Sequence, residues 1–202
     1  MARPRIISDE QILSAARECF FEHGPAVSTD VISERLGVSP QALFKRFHNK
    51  QGLLIAAIAP SGRAPWLSLV EAGPDQRTLV VQLTEILQQL ADFFVDIARR
   101  MSVLRFAGIN PCELLQRYDE APPLVEIRAL AGWLERAAKR RLIRRIDYSA
   151  TAMLLLTSMH GPAMLSDMLG HHPTGHSREE YVKQMADLLI QGLKPRQSLR
   201  KS

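Results

Sequence analysis

The chain has 202 residues, a formal net charge of +5 and 46% hydrophobic residues, values typical of a globular protein that exclude disorder as its dominant state. Its two cysteines, Cys19 and Cys112, are too few for a disulfide scaffold and form no paired metal-ligand motif. No stretch approaches the roughly 20 continuous apolar residues of a membrane span, and the N-terminal stretch lacks the apolar core of a signal peptide. We therefore expect a cytoplasmic protein without a membrane partner.

The position of the basic residues is more informative than the net charge. Residues 1–59 carry seven basic and six acidic side chains, a net charge of only +1. The last four basic residues of this segment nevertheless follow Glu34 without an acidic residue among them. Two further basic segments are residues 128–145 and 194–201. The first could bind an anionic ligand, but we interpret it mainly as a solvated surface. The four uncompensated basic residues are Arg35, Lys45, Arg46 and Lys50.

Apolar residues recur at helical spacing throughout, and no run alternates as a strand would, so the sequence predicts an all-α fold. Ser8 and Gln11 form the pattern of a capping box at the start of a first helix, which Gly24-Pro25 ends. Ser28 caps a short second helix that ends at Gly37. Ser39 then caps a third helix, with Pro40 in its first position, and Asn49 caps a fourth over 50–59.

Longer helices are predicted after a linker over residues 60–75. They cover 78–100, 124–141, 150–169 and 177–192, and Ser177 with Glu180 forms a second capping box. We accordingly place an N-terminal domain at 1–59 and a larger helical domain at 60–202.

The second and third helices, joined by a turn at Gly37, have the arrangement of a helix-turn-helix. Residues 32–54 read ISERLGVSPQALFKRFHNKQGLL, with a Gly-Val-Ser turn, an aromatic-x-x-Phe ending and a lysine that opens the next helix. Over residues 6–59 the chain resembles the DNA-binding domain of the TetR/AcrR family of bacterial regulators. The resemblance implies double-stranded DNA as a partner and the third helix as the recognition helix.

The family pattern suggests DNA contacts residue by residue. Gln41 and Lys45 are candidates for base contacts, since both project from the exposed side of the recognition helix. Phe44 stands where the family usually has a tyrosine, and Ala42 replaces a commoner threonine. The contacts to the DNA backbone that the family's two hydroxyl side chains make are therefore not expected here. Candidates for the remaining contacts, mainly to phosphates, are Arg3, Arg5, Ser28, Thr29, Ser39, Arg46 and Lys50.

The resemblance also implies that the last two long helices pair with their mates in a homodimer. Small residues would let the helices approach, and large apolar residues would fill the gaps. The candidate interface residues are Leu154, Ser158, Gly161, Ala163, Leu165, Tyr181, Met185, Leu188 and Leu189.

A pocket for an unidentified small-molecule effector is expected among the long helices. Aromatic and methionine side chains at helical spacing are candidates for its lining, although such residues more often form ordinary core. The candidates are Phe93, Phe94, Met101, Phe106, Trp133, Met153 and Met164.

We expect no catalytic residue, cofactor or metal. The chain contains no G-x-S-x-G, H-E-x-x-H or Walker glycine motif. His171, His172 and His176 lie in a loop without a cysteine nearby, so we interpret them as surface residues.

The sequence thus predicts a homodimeric, ligand-responsive repressor that binds an inverted-repeat operator. In this hypothesis the helix over 50–59 couples the effector pocket to the recognition helices. Two alternatives stay open at this point: an all-α enzyme or carrier that keeps the helix-turn-helix for docking, and an architectural DNA-binding protein indifferent to any effector.

Overall fold

The structure, a computed structural model, describes residues 7–60 and 63–193, except for the side chain of Pro111. Within these ranges it contains ten α-helices and no strand, which confirms the predicted all-α class. In chain order they are α1 (Asp9–His23), α2 (Thr29–Leu36), α3 (Pro40–Phe47), α4 (Lys50–Ile58), α5 (Leu67–Ala72), α6 (Leu79–Phe106), α7 (Pro111–Leu115), α8 (Pro122–Lys139), α9 (Tyr148–Leu169) and α10 (Arg178–Leu193).

The predicted caps account for the bounds of the first four helices. The Ser8 hydroxyl accepts the amide hydrogen of Gln11, whose side chain in turn accepts the Ser8 amide hydrogen, so the capping box is confirmed. Gly37 ends α2 in the left-handed conformation, at φ 65°, which favours glycine. Ser39 caps α3 ahead of Pro40, and Asn49 caps α4.

Other helix bounds differ from the sequence-based expectation. The predicted linker contains α5, a six-residue helix whose Trp66, Leu67 and Val70 are buried. Helix α6 continues to Phe106 instead of ending at residue 100. Helix α8 begins at Pro122, earlier than expected, because proline is tolerated in a first helical turn, where no amide hydrogen is needed.

The chain divides into two compact units. The first unit consists of the described residues up to 60 together with Arg99–Arg117, and the second of the described parts of Gly62–Ala98 and Tyr118–Ser202. The predicted boundary at residue 59 took no account of the segment 99–117, which returns to the first unit.

The core of the first unit draws on α1 to α4 and on the segment 99–117. Phe20, Ile32 and Leu43 are fully buried, and Leu104 packs into the same cluster. Arg99 lies with its guanidinium carbon 4.2 Å from the centre of the Phe21 ring. The last turns of α6 are therefore part of the core of the first unit.

In the second unit, α10 is joined to α9 by a hydrogen bond at a proline. Pro162 lies inside α9 and has no amide hydrogen to donate to the carbonyl of Ser158. The Tyr181 hydroxyl on α10 donates to that carbonyl instead, at 3.1 Å. The bond satisfies an oxygen that the proline left unpaired and sets the position of α10 on α9.

No helix among the described residues is both long enough and apolar enough to cross a bilayer.

Candidate nucleic-acid interface and effector region

The recognition helix α3 is fixed by its inner side and exposed on its outer side. Leu43 is fully buried, and Phe44 and Phe47 are half-buried. Gln41 and Lys45 are exposed and one helical turn apart, so their side chains are neighbours on the outer surface. The structure thus brings together the two side chains predicted to contact bases.

The candidate phosphate-binding hydroxyls serve as helix caps. Ser28 Oγ accepts the amide hydrogen of Val31 on α2 at 3.4 Å, and Ser39 Oγ accepts that of Ala42 on α3 at 3.3 Å. Each hydroxyl oxygen acts only as an acceptor in its cap. The hydroxyl hydrogen can therefore still be donated to a phosphate oxygen. Thr29 is half-buried at the start of α2.

Arg46 differs from its predicted use. Its Nη1 donates to the backbone oxygen of Ile7 at 2.7 Å and to Asp9 Oδ1 at 2.8 Å. The guanidinium therefore ties α3 to the start of α1, and its charge is already partnered. The other two candidate arginines, Arg3 and Arg5, lie outside the described residues, as does the basic segment 194–201.

Arg35 is likewise engaged within the first unit. Its Nη2 donates to Glu22 Oε2 at 2.7 Å, and this hydrogen bond lowers the pKa of the Glu22 carboxyl. Of the four uncompensated basic residues, Lys45 and Lys50 have no carboxylate partner among the described residues. Of these four residues, those without a carboxylate partner therefore lie on α3 and at the start of α4.

Gly52 is required for the close packing of α4 against the end of α3, and the sequence analysis did not identify it. A Cβ at this position would lie 2.3 Å from the backbone oxygen of Phe47, closer than atoms pack. Glycine therefore lets the first turn of α4 approach the end of α3. The only sequence signal is a glycine three residues after the Asn49 cap, which the prediction of a helix there did not use.

The predicted effector residues fall into three groups. Phe93, Phe94, Trp133 and Met164 belong to the core of the second unit or pack against it. Met101 packs in the first unit, and Phe106 at the end of α6 is 81% exposed. Met153, on α9, is also exposed. The seven side chains therefore do not form one lining, because α6 passes through the segments of both units.

Three residues of the second unit were not selected by the sequence analysis, and two of them, Trp66 and His160, lie beside Phe93 and Phe94. The Trp66 and Phe93 ring centres are 6.5 Å apart, those of Phe93 and Phe94 5.2 Å, and those of Phe94 and His160 4.9 Å. Burial lowers the pKa of the His160 imidazole. These four rings, Trp66, Phe93, Phe94 and His160, are called the aromatic cluster below. The third unselected residue is Glu126, whose carboxyl pKa is raised to about 7 by burial.

Helices α9 and α10 carry an apolar stripe on their outer sides. Leu154 is 53% exposed, Met168 73% and Leu188 67%, and Gly161 and Leu165 are exposed as well. The remaining predicted interface residues are more covered. Ser158, Tyr181, Met185 and Leu189 are half-buried, and Ala163 is buried in the second unit.

Much of the basic segment 128–145 holds the second unit together. Arg136 Nη2 donates to the Val70 oxygen at 2.6 Å, and Arg144 Nε donates to the Gly192 oxygen at 2.8 Å. Arg140 donates to the Pro74 oxygen. Arg140 and Arg144 are exposed and Arg136 is half-buried, so the guanidinium groups of a mostly solvated segment also bind backbone oxygens of the second unit.

The loop histidines are held by neighbours in the loop and on α10. His172 Nδ1 lies 2.8 Å from Thr174 Oγ1, and the His172 ring centre is 4.9 Å from that of Tyr181. Across the residues that the structure describes, no three histidine, cysteine or acidic side chains are grouped as a metal site would require.

The capped helix pair, with its exposed Gln41 and Lys45 and its buried Leu43, defines a helix-turn-helix protein. Residues 12–57 match the family model of the bacterial regulatory proteins of the tetR family. The N-terminal part of the chain thus carries a domain that matches the tetR family of bacterial regulators, over 46 of its 202 residues.

A curated relative is the HTH-type transcriptional repressor BdcR of Escherichia coli (strain K12). It is 31% identical over 90 residues, which are 44% of this chain and 46% of that protein, so the match spans less than half of the relative's length.

Solved structures resemble the chain over nearly its whole length. A TetR-family regulator from Pectobacterium atrosepticum has a TM-score of 0.61 at 20% identity, covering 93% of this chain and 95% of its own. A TetR/AcrR-family regulator from Thermobifida fusca has a TM-score of 0.62 at 20% identity, covering 91% and 96%. At these identities the likeness establishes the fold of both units.

Proposed function

We propose that the protein is a ligand-responsive transcriptional repressor in the cytoplasm that binds an inverted-repeat operator as a homodimer. The observation that carries the proposal is the recognition helix, whose exposed Gln41 and Lys45 lie one turn apart above a fully buried Leu43. The curated relative, a transcriptional repressor, supports the direction of regulation. The proposal includes no catalytic step.

Gln41 and Lys45 would specify the DNA sequence. A glutamine side chain pairs in two places with adenine, and a lysine donates to the O6 and N7 atoms of guanine. Lys50, at the first position of α4, and the capping hydroxyls of Ser28 and Ser39 would contact phosphates. Because Arg46 is paired with Asp9, we expect fewer phosphate contacts than a count of basic residues suggests.

The homodimer would be built on the apolar stripe of α9 and α10. Leu154, Gly161, Leu165 and Met168 follow one side of α9 at spacings of seven, four and three residues, and α10 adds the exposed Leu188. Contiguous exposed apolar surface of this kind marks a protein interface. A two-fold axis through a bundle of four such helices would place two recognition helices in successive major grooves, about 34–36 Å apart.

The effector would bind in the second unit and act by changing the separation of the recognition helices. We keep α4 as the predicted coupling helix. Helix α6 is a second candidate, since its residues 79–98 belong to the second unit and 99–106 to the core of the first.

The experiment is selection of duplexes from a random library by the full-length protein at low salt. We expect enrichment of an inverted repeat whose half-sites are centred about 10 base pairs, or a multiple of that, apart. Sedimentation of the unliganded protein should show a dimer, and Leu188→Glu should shift it toward the monomer. Failure to enrich any sequence, in the presence or absence of ligands, would contradict the proposal.

A further inference from the structure

A surface depression of about 780 Å³, called the basic depression below, lies where α8 passes into α9. Its lining comes from one stretch of the chain, residues 135–148, within the second unit. The volume falls in the range of small-molecule sites, roughly 300–1,000 Å³. None of the lining residues belongs to the aromatic cluster, so a molecule bound here would contact a different set of side chains.

The basic depression carries more positive than negative charge. Lys139, Arg141 and Arg145 line it, together with a single carboxylate, Glu135. Glu135 Oε1 lies 2.9 Å from Lys139 Nζ, so these two charges offset each other. Arg141 and Arg145 are exposed and have no carboxylate partner among the described residues. The lining thus keeps a net charge of +2, held by two guanidinium groups.

The arginines of this segment divide according to what they bind. Arg136, Arg140 and Arg144 donate to backbone oxygens of the second unit, and none of them lines the basic depression. Arg141 and Arg145 directly follow the last two of these, and within the described residues their guanidinium groups donate to no backbone oxygen. The packing of the second unit therefore accounts for the first three arginines. It does not account for the two that meet in one depression.

Arg141 occupies a backbone position that favours glycine. It lies two residues after the end of α8 and has φ 61°, in the left-handed region. The Leu142 amide donates to the Ala137 oxygen at 3.0 Å, which is the hydrogen bond of a helix end where glycine is usual. An arginine here costs conformational free energy that a glycine would not. The sequence thus places a guanidinium group at the basic depression in spite of backbone strain.

The rest of the lining offers an apolar surface. Ile143 is 3% exposed and belongs to the core of the second unit, and the half-buried Tyr148 packs against that core. Asp147, the carboxylate next to Tyr148, caps α9, where it accepts the Ala150 amide hydrogen at 2.9 Å. It does not line the basic depression. The site therefore combines two unpartnered cations with an apolar floor.

This combination favours a phosphate monoester as the occupant. A guanidinium group presents paired N–H donors that match the oxygens of a phosphate or a carboxylate. A phosphate monoester carries nearly two negative charges at neutral pH, which balance the net charge of +2, whereas one carboxylate balances half of it. A nucleic-acid backbone has one charge per phosphate, so it balances the lining less well.

We infer that the basic depression binds an organic phosphate, a phosphate monoester with an apolar or aromatic body. The phosphate would accept hydrogen bonds from Arg141 and Arg145, and the body would lie against Ile143 and Tyr148. The inference goes beyond the proposed function, because it requires neither an operator nor a second copy of the chain.

The test compares three probes: 1-naphthyl phosphate, 1-naphthol as its body alone, and inorganic phosphate as its charged group alone. Their binding to the full-length protein is measured by calorimetry near pH 7.5, where the ester is a dianion. We expect the ester to bind about 10-fold or more tightly than either of the other two. Equal binding of 1-naphthol or of inorganic phosphate, or no binding of the ester at millimolar concentration, would overturn the inference.

Two variants locate the binding. Arg145→Gln should weaken the ester about 10-fold and leave 1-naphthol unchanged, because it removes one of the two guanidinium groups. Lys183→Gln is the matched control, since it removes an exposed positive charge of the same unit on α10, and it should change the affinity less than twofold. Equal weakening by the two variants would show a general charge effect and would contradict the site.

Arg141→Gly separates binding from folding. Glycine adopts the left-handed conformation without strain, so the Tm should be unchanged or raised while the affinity for the ester falls about 10-fold. Unchanged affinity in both Arg141→Gly and Arg145→Gln would place the ester elsewhere on the protein and overturn the inference. None of these measurements uses DNA, so their outcome does not depend on whether the protein binds an operator.

Discussion

The two units of the molecule differ in where a charged group without a partner lies. In the first unit Arg35 and Arg46 are paired with carboxylates, whereas the exposed Lys45 and the half-buried Lys50 have no carboxylate partner among the described residues. In the second unit several arginines bind backbone oxygens, and one carboxyl group, Glu126, is buried without a partner. Unpaired charge at a surface suits a polyanion that water also surrounds, whereas a carboxyl group that is taken out of water tends to keep its proton.

The largest expected effect concerns the buried charge of the second unit. Burial raises the pKa of Glu126 to about 7, from its ordinary value of 4.5. Between these values the folded protein holds a proton that the unfolded chain has released, so its stability falls as pH rises through this window. The loss should be on the order of 3 kcal/mol and should be absent in Glu126→Gln. Urea unfolding of both proteins from pH 4 to 8 measures it, and parallel curves would contradict the prediction.

The next largest change in the free energy of unfolding is expected at a close contact in the first unit. Gly52→Ala would place a methyl group against the Phe47 oxygen and should lower the unfolding free energy by about 1–3 kcal/mol. The control is Gly192→Ala in α10, where a Cβ meets nothing within 4 Å. That change should be neutral or stabilising by up to about 1 kcal/mol. Thermal unfolding compares the two, and equal shifts of Tm would refute the assigned contact.

Basic side chains of the first unit that have a carboxylate partner and those that have none should affect DNA binding differently when they are replaced. Lys45→Ala should cost about 1–3 kcal/mol at one base position and relax the preference there. Lys50→Ala should weaken binding to all sequences and reduce the slope of affinity against salt by about 1. Arg46→Ala should instead lower stability by less than about 1 kcal/mol and keep the base preference. Titration of the selected duplex with single-base variants distinguishes the three, and a changed base preference in Arg46→Ala would count against its structural assignment.

The smallest effect concerns the hydrogen bond at Pro162. Tyr181→Phe leaves the Ser158 oxygen without a donor and should cost about 1 kcal/mol. Tyr148→Phe is a suitable control, because the Tyr148 hydroxyl donates to no group within the described residues. Chemical unfolding of both variants tests this, and an equal cost would show that the Tyr181 bond contributes nothing specific.

Short-range signals predicted the N-terminal part of the first unit well. The caps at Ser8, Ser28, Ser39 and Asn49 act within three residues, so the sequence alone located α1 to α4 and the turn at Gly37. The exposed positions of Gln41 and Lys45 followed from the same periodicity.

Contacts between residues distant in sequence were not predictable. The partner of Arg46 is Asp9, 37 residues earlier, and nothing in the local pattern indicates it. Glu126 resembles any acidic residue of an amphipathic helix until its neighbours are known. Helix α5 has only six residues, too few for a clear helical period, and this is why Trp66 was overlooked.

The segment 99–117 bears on how a regulator of this kind could be re-engineered. A chimera that exchanged only residues 1–59 for those of another family member would leave Val103, Leu104, Ile109 and Leu114 behind, facing a foreign core. The transferable module is discontinuous, and a graft with new operator specificity has to carry the end of α6 and all of α7 with it.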